Sequence, residues 1–405
     1  MSGMTFVGRR GRSCWTVLAV MAFVGGHSVS TSAITIVPTF DSTIKSDPNA
    51  ATIEATINSA IAIYEHIITD SITVNITYRE MTTGLGENST YYDPMPYQSY
   101  VAALATHATS TNDGIAVSHL PNTATNPVNS NGTVNVQLPN ARALGISIVP
   151  PAGMPDGTIS LNTSIMNLSR SATDPTKFDL MSTTMHEMDE VLGFGSALSN
   201  VAKNGDPAPS TAIWPLDLFR YDQSGARSFS TSLTTTAFFS LNGTTDLAQF
   251  NQHAGGDFSD WYSFPNGAAI PHVQDAYATR GVAPNLGVEF TGLDILGYHL
   301  VPLSGDANGD GVVNAQDLAL VASGWLRTVA NPGDVNHDGI VNGQDLAIIS
   351  SDWLGTYGSA GTGGGTGMSG GSQVPEPSAW LLTILASCAL LGTGRRRRGD
   401  CRIAA

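Results

Sequence analysis

The feature that most constrains this chain is a twelve-residue pattern that occurs twice near its C-terminal end. The first copy runs from Asp306 to Asp317 and the second from Asp334 to Asp345, with Asp, Asn and Gly at matching places. Each copy is followed by an apolar segment that ends at a Trp-Leu pair. The duplication therefore predicts a small all-α module that is built from two equivalent loop-and-helix units.

The chemistry of the repeated loops indicates calcium. Carboxylates and amides at loop positions 1, 3 and 5 supply hard oxygen ligands, glycine at 6 permits a sharp turn, and a backbone carbonyl at 7 and an acid at 12 complete the coordination. Two loops with this spacing predict two bound Ca²⁺ ions. The predicted ligands are Asp306, Asn308, Asp310, the Val312 carbonyl and Asp317 in the first loop, and Asp334, Asn336, Asp338, the Ile340 carbonyl and Asp345 in the second.

The module resembles a type I dockerin domain, because position 12 is Asp rather than Glu and only one helix follows each loop. The resemblance covers residues 301–357 and implies a cohesin-like protein partner. By analogy, the residues at loop positions 10 and 11 face that partner: Ala315, Gln316, Gly343 and Gln344. The alternative is a calcium-stabilised spacer that has no partner.

A second motif lies upstream, where the chain reads His186-Glu187-Met188-Asp189-Glu190 and continues Val191-Leu192-Gly193. On a helix, positions i and i+4 share one face, so His186 and Glu190 can reach one metal ion. Zinc accepts both histidine nitrogen and carboxylate oxygen. The segment is similar to the H-E-x-x-H helix of zincin metalloproteases, with Glu190 in place of the second histidine.

This resemblance implies an α+β, zincin-like catalytic domain over residues 34–300 that hydrolyses a protein substrate. In zincins the metal lowers the pKa of a water molecule, and a glutamate in the position of Glu187 acts as the general base. The ion would be Zn²⁺ or another divalent transition metal, since a site with one His and two carboxylates is a hard ligand set. A degenerate, inactive helix is the alternative interpretation of Glu190.

The third metal ligand must come from further along the chain. The metzincin extension would place a histidine at position 196, where this chain has Ser196. We expect Asp217 to be the third ligand, because a downstream acid completes the site in several zincin families. His253 and His272 are the alternatives.

Both ends of the chain are typical of export. Residues 1–33 combine three arginines, a short apolar run and small residues, which predicts a cleaved signal peptide. Residues 374–405 resemble a PEP-CTERM sorting tag: a Pro-Glu-Pro motif, an apolar membrane segment over 379–394 and an arginine cluster. That resemblance implies an exosortase-type processing enzyme and transient anchoring before the chain reaches the cell surface. A plain C-terminal anchor is the alternative, and a Gly/Ser-rich linker, 358–373, precedes the tag.

Composition between the ends narrows the function. Residues 34–394 hold 32 acidic and 10 basic residues, a net charge of −22, which argues against binding nucleic acid and suits cation binding. All three cysteines, Cys14, Cys388 and Cys401, lie in the signal or the tag. The exported part therefore has no disulfides and is stabilised by packing and metal ions.

Local patterns predict several elements around the motif. Residues 50–68 show helical spacing of isoleucines, and residues 71–78 alternate like a strand. Further short strands are expected at 143–149 and 158–161, an irregular loop over 105–140, and the motif helix directly after Asp179.

Together these patterns favour a surface-associated metalloendopeptidase that carries a dockerin. A non-catalytic calcium-binding surface or matrix protein remains open. So does a dockerin-bearing polysaccharide-degrading enzyme, whose chemistry needs two carboxylates that flank the scissile bond.

Overall fold

The computed structural model describes residues 33–148, 150–200, 207–253, 255–264, 270–308, 312–327, 331–336 and 339–353. The predicted signal peptide, the linker, the sorting tag and the calcium-loop residues Asp310 and Asp338 lie outside these ranges. The elements are β1 (Thr35–Phe40), α1 (Ser42–Lys45), α2 (Ala50–Ile67), β2 (Thr73–Glu80), β3 (Gly86–Thr90), β4 (Tyr92–Pro96), α3 (Tyr97–His107), α4 (Thr111–Ser118), β5 (Thr133–Gln137), α5 (Leu138–Ala143), β6 (Gly157–Leu161), β7 (Met166–Asn167), β8 (Phe178–Asp179), α6 (Leu180–Leu192), β9 (Arg220–Tyr221), β10 (Phe238–Phe239), β11 (Ala248–Gln249), α7 (Val288–Ile295), α8 (Ala315–Gly324) and α9 (Gly343–Ser351).

A four-stranded sheet with the order β1-β2-β6-β3 supports the motif helix. Its first three strands run parallel, and β3 pairs antiparallel with β6, with Asn88 opposite Ile159. Helix α6 packs on β6 and β3, and helix α2 packs on α6 and β1. The helix approaches the sheet closely, since a Cβ on Gly157 would lie 2.7 Å from a methyl of Val191.

Helix α2 confirms the predicted isoleucine pattern. Ile53, Ile57 and Ile61 are buried on the face that the 3.6-residue period brings together. Tyr64, on the same helix, donates its hydroxyl to Asp189 of α6 at 2.8 Å. This bond joins the two helices by a polar contact inside an otherwise apolar interface.

Two expectations about loops and strands were wrong. Residues 144–148 form a turn and irregular backbone after α5 rather than a strand, because Pro139 in the first turn favours a helix and Gly145, in the left-handed region, ends it. The stretch 105–140 contains α4 and β5. Ser110 and Asp113 make a capping box that starts α4, and β5 pairs with β4, so local polar composition hid regular structure.

A smaller three-stranded sheet has the order β11-β10-β9, and the segment up to residue 264 follows it in the chain. Phe239 and Phe250 pack on Trp261, with ring centroids 5.4 and 5.2 Å away. These buried aromatic side chains fix the backbone beside Trp261, which includes Asp260.

Helices α8 and α9 form the predicted all-helical module. Its own small core holds Val313 and Val321 from the first repeat and Val341 and Ile349 from the second, so the two copies bury equivalent residues against each other. The chain therefore combines a mixed α/β region with an all-α module. Within the described ranges, no helix has both the length and the apolar character that crossing a membrane requires.

Candidate metal centre

Helix α6 begins at a well-defined N-terminus. Asp179 is its N-cap and accepts hydrogen bonds from the Ser182 amide at 2.7 Å and hydroxyl at 2.6 Å. Arg170 pairs with the same carboxylate at 2.8 Å and also donates to the Pro284 carbonyl. The cap and the ion pair fix where the helix starts, and therefore where the motif residues project.

Three side chains converge where the metal ion was predicted. His186, Glu190 and Asp260 each offer a ligand atom, and the three atoms lie within 4.8 Å of one another. His186 Nε2 is 3.8 Å from Glu190 Oε1 and 3.8 Å from Asp260 Oδ1. Ligands of tetrahedral zinc lie about 3.4 Å apart, so this donor set fits a small divalent ion with little movement.

The orientation of His186 favours metal binding. Its Nδ1 lies 3.0 Å from the Val273 carbonyl, which can only accept, so Nδ1 carries the proton. The lone pair of Nε2 therefore faces the side on which the two carboxylates and the Gln274 side-chain amide, 3.4 Å away, lie. A backbone carbonyl that fixes the tautomer in this way is a common support of metal-bound histidines.

Glu187 lies beside the cluster and is 4% exposed. Asn88 of β3 donates from Nδ2 to Glu187 Oε2 at 3.0 Å, and the same nitrogen is hydrogen-bonded to Glu190 Oε2. A Cβ on Gly86 would collide with Glu187 Oε1 in its present position. Glycine at position 86 thus leaves room for the carboxyl group of Glu187 against the strand.

The carboxyl groups of the cluster have pKa values above their usual range. Burial raises the pKa of Glu187 to about 7, against the opposing effects of His186 and Asn88. Burial also raises the pKa of Glu190 well above its usual range, and the negative charges of Glu187, Asp260 and Asp257 add to the rise. Burial and Asp257 raise the pKa of Asp260 in the same way. Buried like charges are costly unless a positive ion compensates them.

Asp260 is positioned by a chain of buried groups. Gln274 donates its side-chain amide to Asp260 Oδ1 at 3.1 Å, and its own backbone N–H donates to Glu289 Oε1 at 3.0 Å. The indole of Trp261 donates to the same Glu289 oxygen at 2.9 Å. Glu289 of α7 therefore holds Trp261 and Gln274, and Gln274 in turn orients Asp260.

Asp217 does not join the cluster. Its carboxylate accepts hydrogen bonds from the Ser196 hydroxyl at 2.5 Å and from the Ala197 and Trp214 amides at 3.0 and 2.9 Å. It thus stabilises the turns that follow α6, and Asp260 rather than Asp217 is the second carboxylate within 4.8 Å of His186 and Glu190. Of the alternatives, exposed His253 lies beside Tyr262, and His272 lines the cleft outside the cluster.

The cluster opens into a cleft of about 990 Å³. Its walls come from β3, α6, the turns after α6 and residues within 255–260 and 272–284, and include Tyr92 and Trp214, whose rings lie 4.9 Å apart. A cleft of this volume lies at the upper end of the range of ligand-binding pockets, about 300–1,000 Å³.

Buried Arg220 holds the Asp260 segment from behind. Its guanidinium, 1% exposed, donates to the Phe258 and Asn251 carbonyls at 2.6 and 3.2 Å and lies over the Phe250 ring.

We predict that Arg220→Met lowers the unfolding free energy by about 3 kcal/mol, because buried acceptors lose their donor. Urea denaturation measures the change. The control is Glu87→Gln, which breaks a solvent-exposed ion pair with Arg79. Such surface pairs contribute little, so we expect a change of less than about 1 kcal/mol there.

The calcium loops have matching geometry in their described parts. Asp317 accepts from the Ala307 and Asn308 amides and, through its other oxygen, from Asn314. Asp345 accepts from the Asn336 and Asn342 amides in the second loop. Each acid at position 12 therefore holds the beginning of its loop against the beginning of its helix. The four predicted partner-facing residues are all exposed: Ala315, Gln316, Gly343 and Gln344.

Comparison with known families agrees with this geometry. Residues 304–350 match the dockerin type I domain. The match supports calcium binding and calcium-dependent attachment of the chain to a cohesin partner, and dockerin domains occur in secreted and cell-surface proteins. No curated protein and no solved structure matches the chain. The function of the cleft is therefore indicated by the chemistry of its own residues.

We predict that Asp317→Asn lowers the calcium stoichiometry of the dockerin domain from two ions to one. The amide keeps the shape of the side chain but removes the charge that a hard cation prefers. Isothermal titration of the exported protein with Ca²⁺ measures the stoichiometry, and Asp246→Asn, an exposed acid outside both loops, is the control. An unchanged calcium count in Asp317→Asn would refute the predicted ligand set.

Two residues of the site were not found from the sequence. Asp260 follows a polar, glycine-rich stretch where an acid has no distinguishing local pattern. Asn88 lies on a strand without apolar alternation, and only the pairing of β3 with β6 brings it over α6. Gly86 and Asn88 share one face of β3, but glycine and asparagine are depleted in strands, so the sequence carries no clear signal for this element.

Proposed function

We propose that this chain is an exported, metal-dependent endopeptidase with a zincin-like active centre and a dockerin domain for attachment. The observation that carries the proposal is the convergence of His186, Glu190 and Asp260 beside buried Glu187 in an open cleft. A zincin needs this combination: three ligands that leave one position open, and one free carboxylate. Zn²⁺ or another divalent transition metal fits the donor set, and Ca²⁺ belongs to the dockerin loops.

Such an ion, when bound, polarises a water molecule and lowers its pKa. Glu187 is placed to take the proton from that water and to deliver it to the leaving nitrogen of the peptide. His186 keeps its proton on Nδ1 throughout, because the Val273 carbonyl holds it there. Asn88 holds Glu187 at the wall of the cleft by a hydrogen bond, and Gly86 leaves room for its carboxyl group there. A substrate would lie beside this wall.

The two ends of the chain and the dockerin give the proposed setting. Residues 1–33 direct export, and residues 374–405, with a membrane segment over 379–394, pass the protein to the surface through an exosortase-type enzyme. The linker at 358–373 separates this tag from the dockerin domain. Residues 34–300 form the catalytic domain, and the dockerin over 301–357 binds a cohesin-like partner through Ala315, Gln316, Gly343 and Gln344.

A polysaccharide-degrading enzyme is the second candidate function. It is favoured by the Tyr92–Trp214 pair in the cleft wall, since aromatic faces stack on sugar rings. The same cleft holds several carboxylates, which glycoside hydrolysis requires. The histidine among the carboxylates favours the peptidase, because a metal ion and not a pair of acids explains its place.

The protein purified after export tests the proposal. We expect one transition-metal ion per chain by mass spectrometry, and cleavage of casein that a transition-metal chelator abolishes. Zn²⁺ or Mn²⁺ should restore this cleavage, and Ca²⁺ alone should not. Cleavage of a polysaccharide panel without cleavage of casein would establish the second candidate. Absence of both a transition metal and hydrolysis would make the chain a non-catalytic calcium-binding surface protein.

A further inference from the structure

Asn88 has a fixed orientation over helix α6. It is half-buried on β3, and its side-chain oxygen accepts the Thr90 hydroxyl at 3.0 Å. Its Nδ2 faces oxygens of Glu187 and Glu190, which accept only when the carboxyl groups are ionised. The amide therefore presents its donor to the carboxylates and its acceptor to Thr90, because a flipped amide would place its oxygen against the two carboxylates.

The two oxygens of Glu190 face different neighbours. Oε1 lies 3.8 Å from His186 Nε2, on the side of Asp260, whereas Oε2 is hydrogen-bonded to Asn88. A histidine ligand has a second N–H, which needs an acceptor behind it; a carboxylate ligand has a second oxygen, which needs a donor. The group next to Glu190 Oε2 is the side-chain amide of Asn88, which is a donor.

We propose that Asn88 is a positioning residue that makes Glu190 a metal ligand through Oε1 alone, so that the centre is built for a carboxylate at this position. This inference rests on the proposed function of the site. The hydrogen bond to Oε2 withholds that oxygen from the ion and keeps one coordination position open. The second hydrogen bond of the same amide sets the distance between Glu190 and the base, Glu187.

The test compares three variants of the exported protein with the wild type. Asn88→Leu keeps the branched shape and the number of heavy atoms of the side chain and removes the donor. Ser89→Ala, at the exposed neighbouring position on β3, is the matched control. Thr90→Val leaves the amide in place and removes the hydroxyl that orients it. Zn²⁺ affinity is measured by competition with a chromophoric chelator, and the visible absorption of the Co²⁺-loaded protein reports the coordination number.

For Asn88→Leu we expect Zn²⁺ affinity to fall about 10–100-fold, the usual cost of losing a group that orients a ligand. The Co²⁺ spectrum should also change, because the released Oε2 can join the ion. Thr90→Val should weaken binding in the same direction by less, and it carries the test if Asn88→Leu does not fold. Ser89→Ala should stay within about twofold of the wild type.

The failures can be told apart. If the wild type binds Zn²⁺, and Asn88→Leu or, should that variant not fold, Thr90→Val keeps both its affinity and its Co²⁺ spectrum, the role of Asn88 is refuted and the proposed function stands. If the wild type binds no transition metal, the proposed function itself fails. A loss of affinity of equal size in Ser89→Ala would also overturn the inference, because the effect would then belong to the strand and not to the amide.

Discussion

Replacing Asp260 with Asn should lower transition-metal affinity by more than about 100-fold, whereas Asp217→Asn should leave it nearly unchanged. Loss of a supporting group costs about 10–100-fold, and loss of a charged ligand should cost more. Asp260 Oδ1 lies 3.8 Å from His186 Nε2, while the Asp217 carboxylate is engaged by Ser196 and two backbone amides. Competition with a chelator measures the affinity of both variants.

The same pair of variants should differ in the opposite sense in stability. Asp217→Asn replaces a fully buried carboxylate that accepts three hydrogen bonds. Its unfolding free energy should therefore fall by about 1–3 kcal/mol. Asp260→Asn relieves repulsion among buried acids and should not destabilise the metal-free protein. If Asp217→Asn abolished metal binding and Asp260→Asn did not, the ligand predicted from sequence would be the correct one.

Glu187→Gln should reduce peptide hydrolysis by about 10²–10⁴-fold and retain the metal ion. General-base catalysis contributes a factor of that size, and the amide cannot take a proton. Glutamine can still accept a hydrogen bond from Asn88 through its side-chain oxygen, so the variant should fold normally. Initial rates on a fluorogenic peptide, with metal content measured on the same samples, separate catalysis from binding.

Glu54→Gln is the control for this prediction. Glu54 lies on α2, outside the cleft, and its replacement should leave the rate and the metal content unchanged. If Glu187→Gln kept the wild-type rate, Glu187 would not be the base. The acids of the cleft would then need a different assignment.

The sequence predicted those parts of the fold whose information is local. The isoleucine spacing of α2 and the start of α6 directly after Asp179 each depend on local sequence, and both predictions are confirmed. The loop-and-helix repeats are local in the same sense. The duplicated Asn caps of α8 and α9 even share the same backbone angles, φ −150° and ψ −161°.

The candidate site could be predicted only in part, because its residues come from three distant segments. His186, Glu187 and Glu190 follow from helical spacing alone. Asp260 reaches them through a loop held by Arg220 and Glu289, and Asn88 through a strand pairing that residues 86–90 do not announce. Asp217 was the reasonable choice from sequence, since nothing in the sequence showed that Ser196 and the following backbone would bind its carboxylate.

The neighbours of Glu190 in the structure bear on whether this residue binds a metal ion. Taken alone, a carboxylate in place of the second histidine suggests a site that has lost its metal. Here Glu190 faces His186 and Asp260 on one side and a hydrogen-bond donor on the other. Both neighbours suit the ligand role that we propose for Glu190.

Anomalous diffraction from crystals of the protein grown with Zn²⁺ tests the proposal that His186, Glu190 and Asp260 bind a metal ion. We expect one strong peak at the zinc edge between His186 Nε2, Glu190 Oε1 and Asp260 Oδ1, and none beside Asp217. Zinc bound elsewhere, or no peak among these three side chains in crystals that contain zinc, would contradict it.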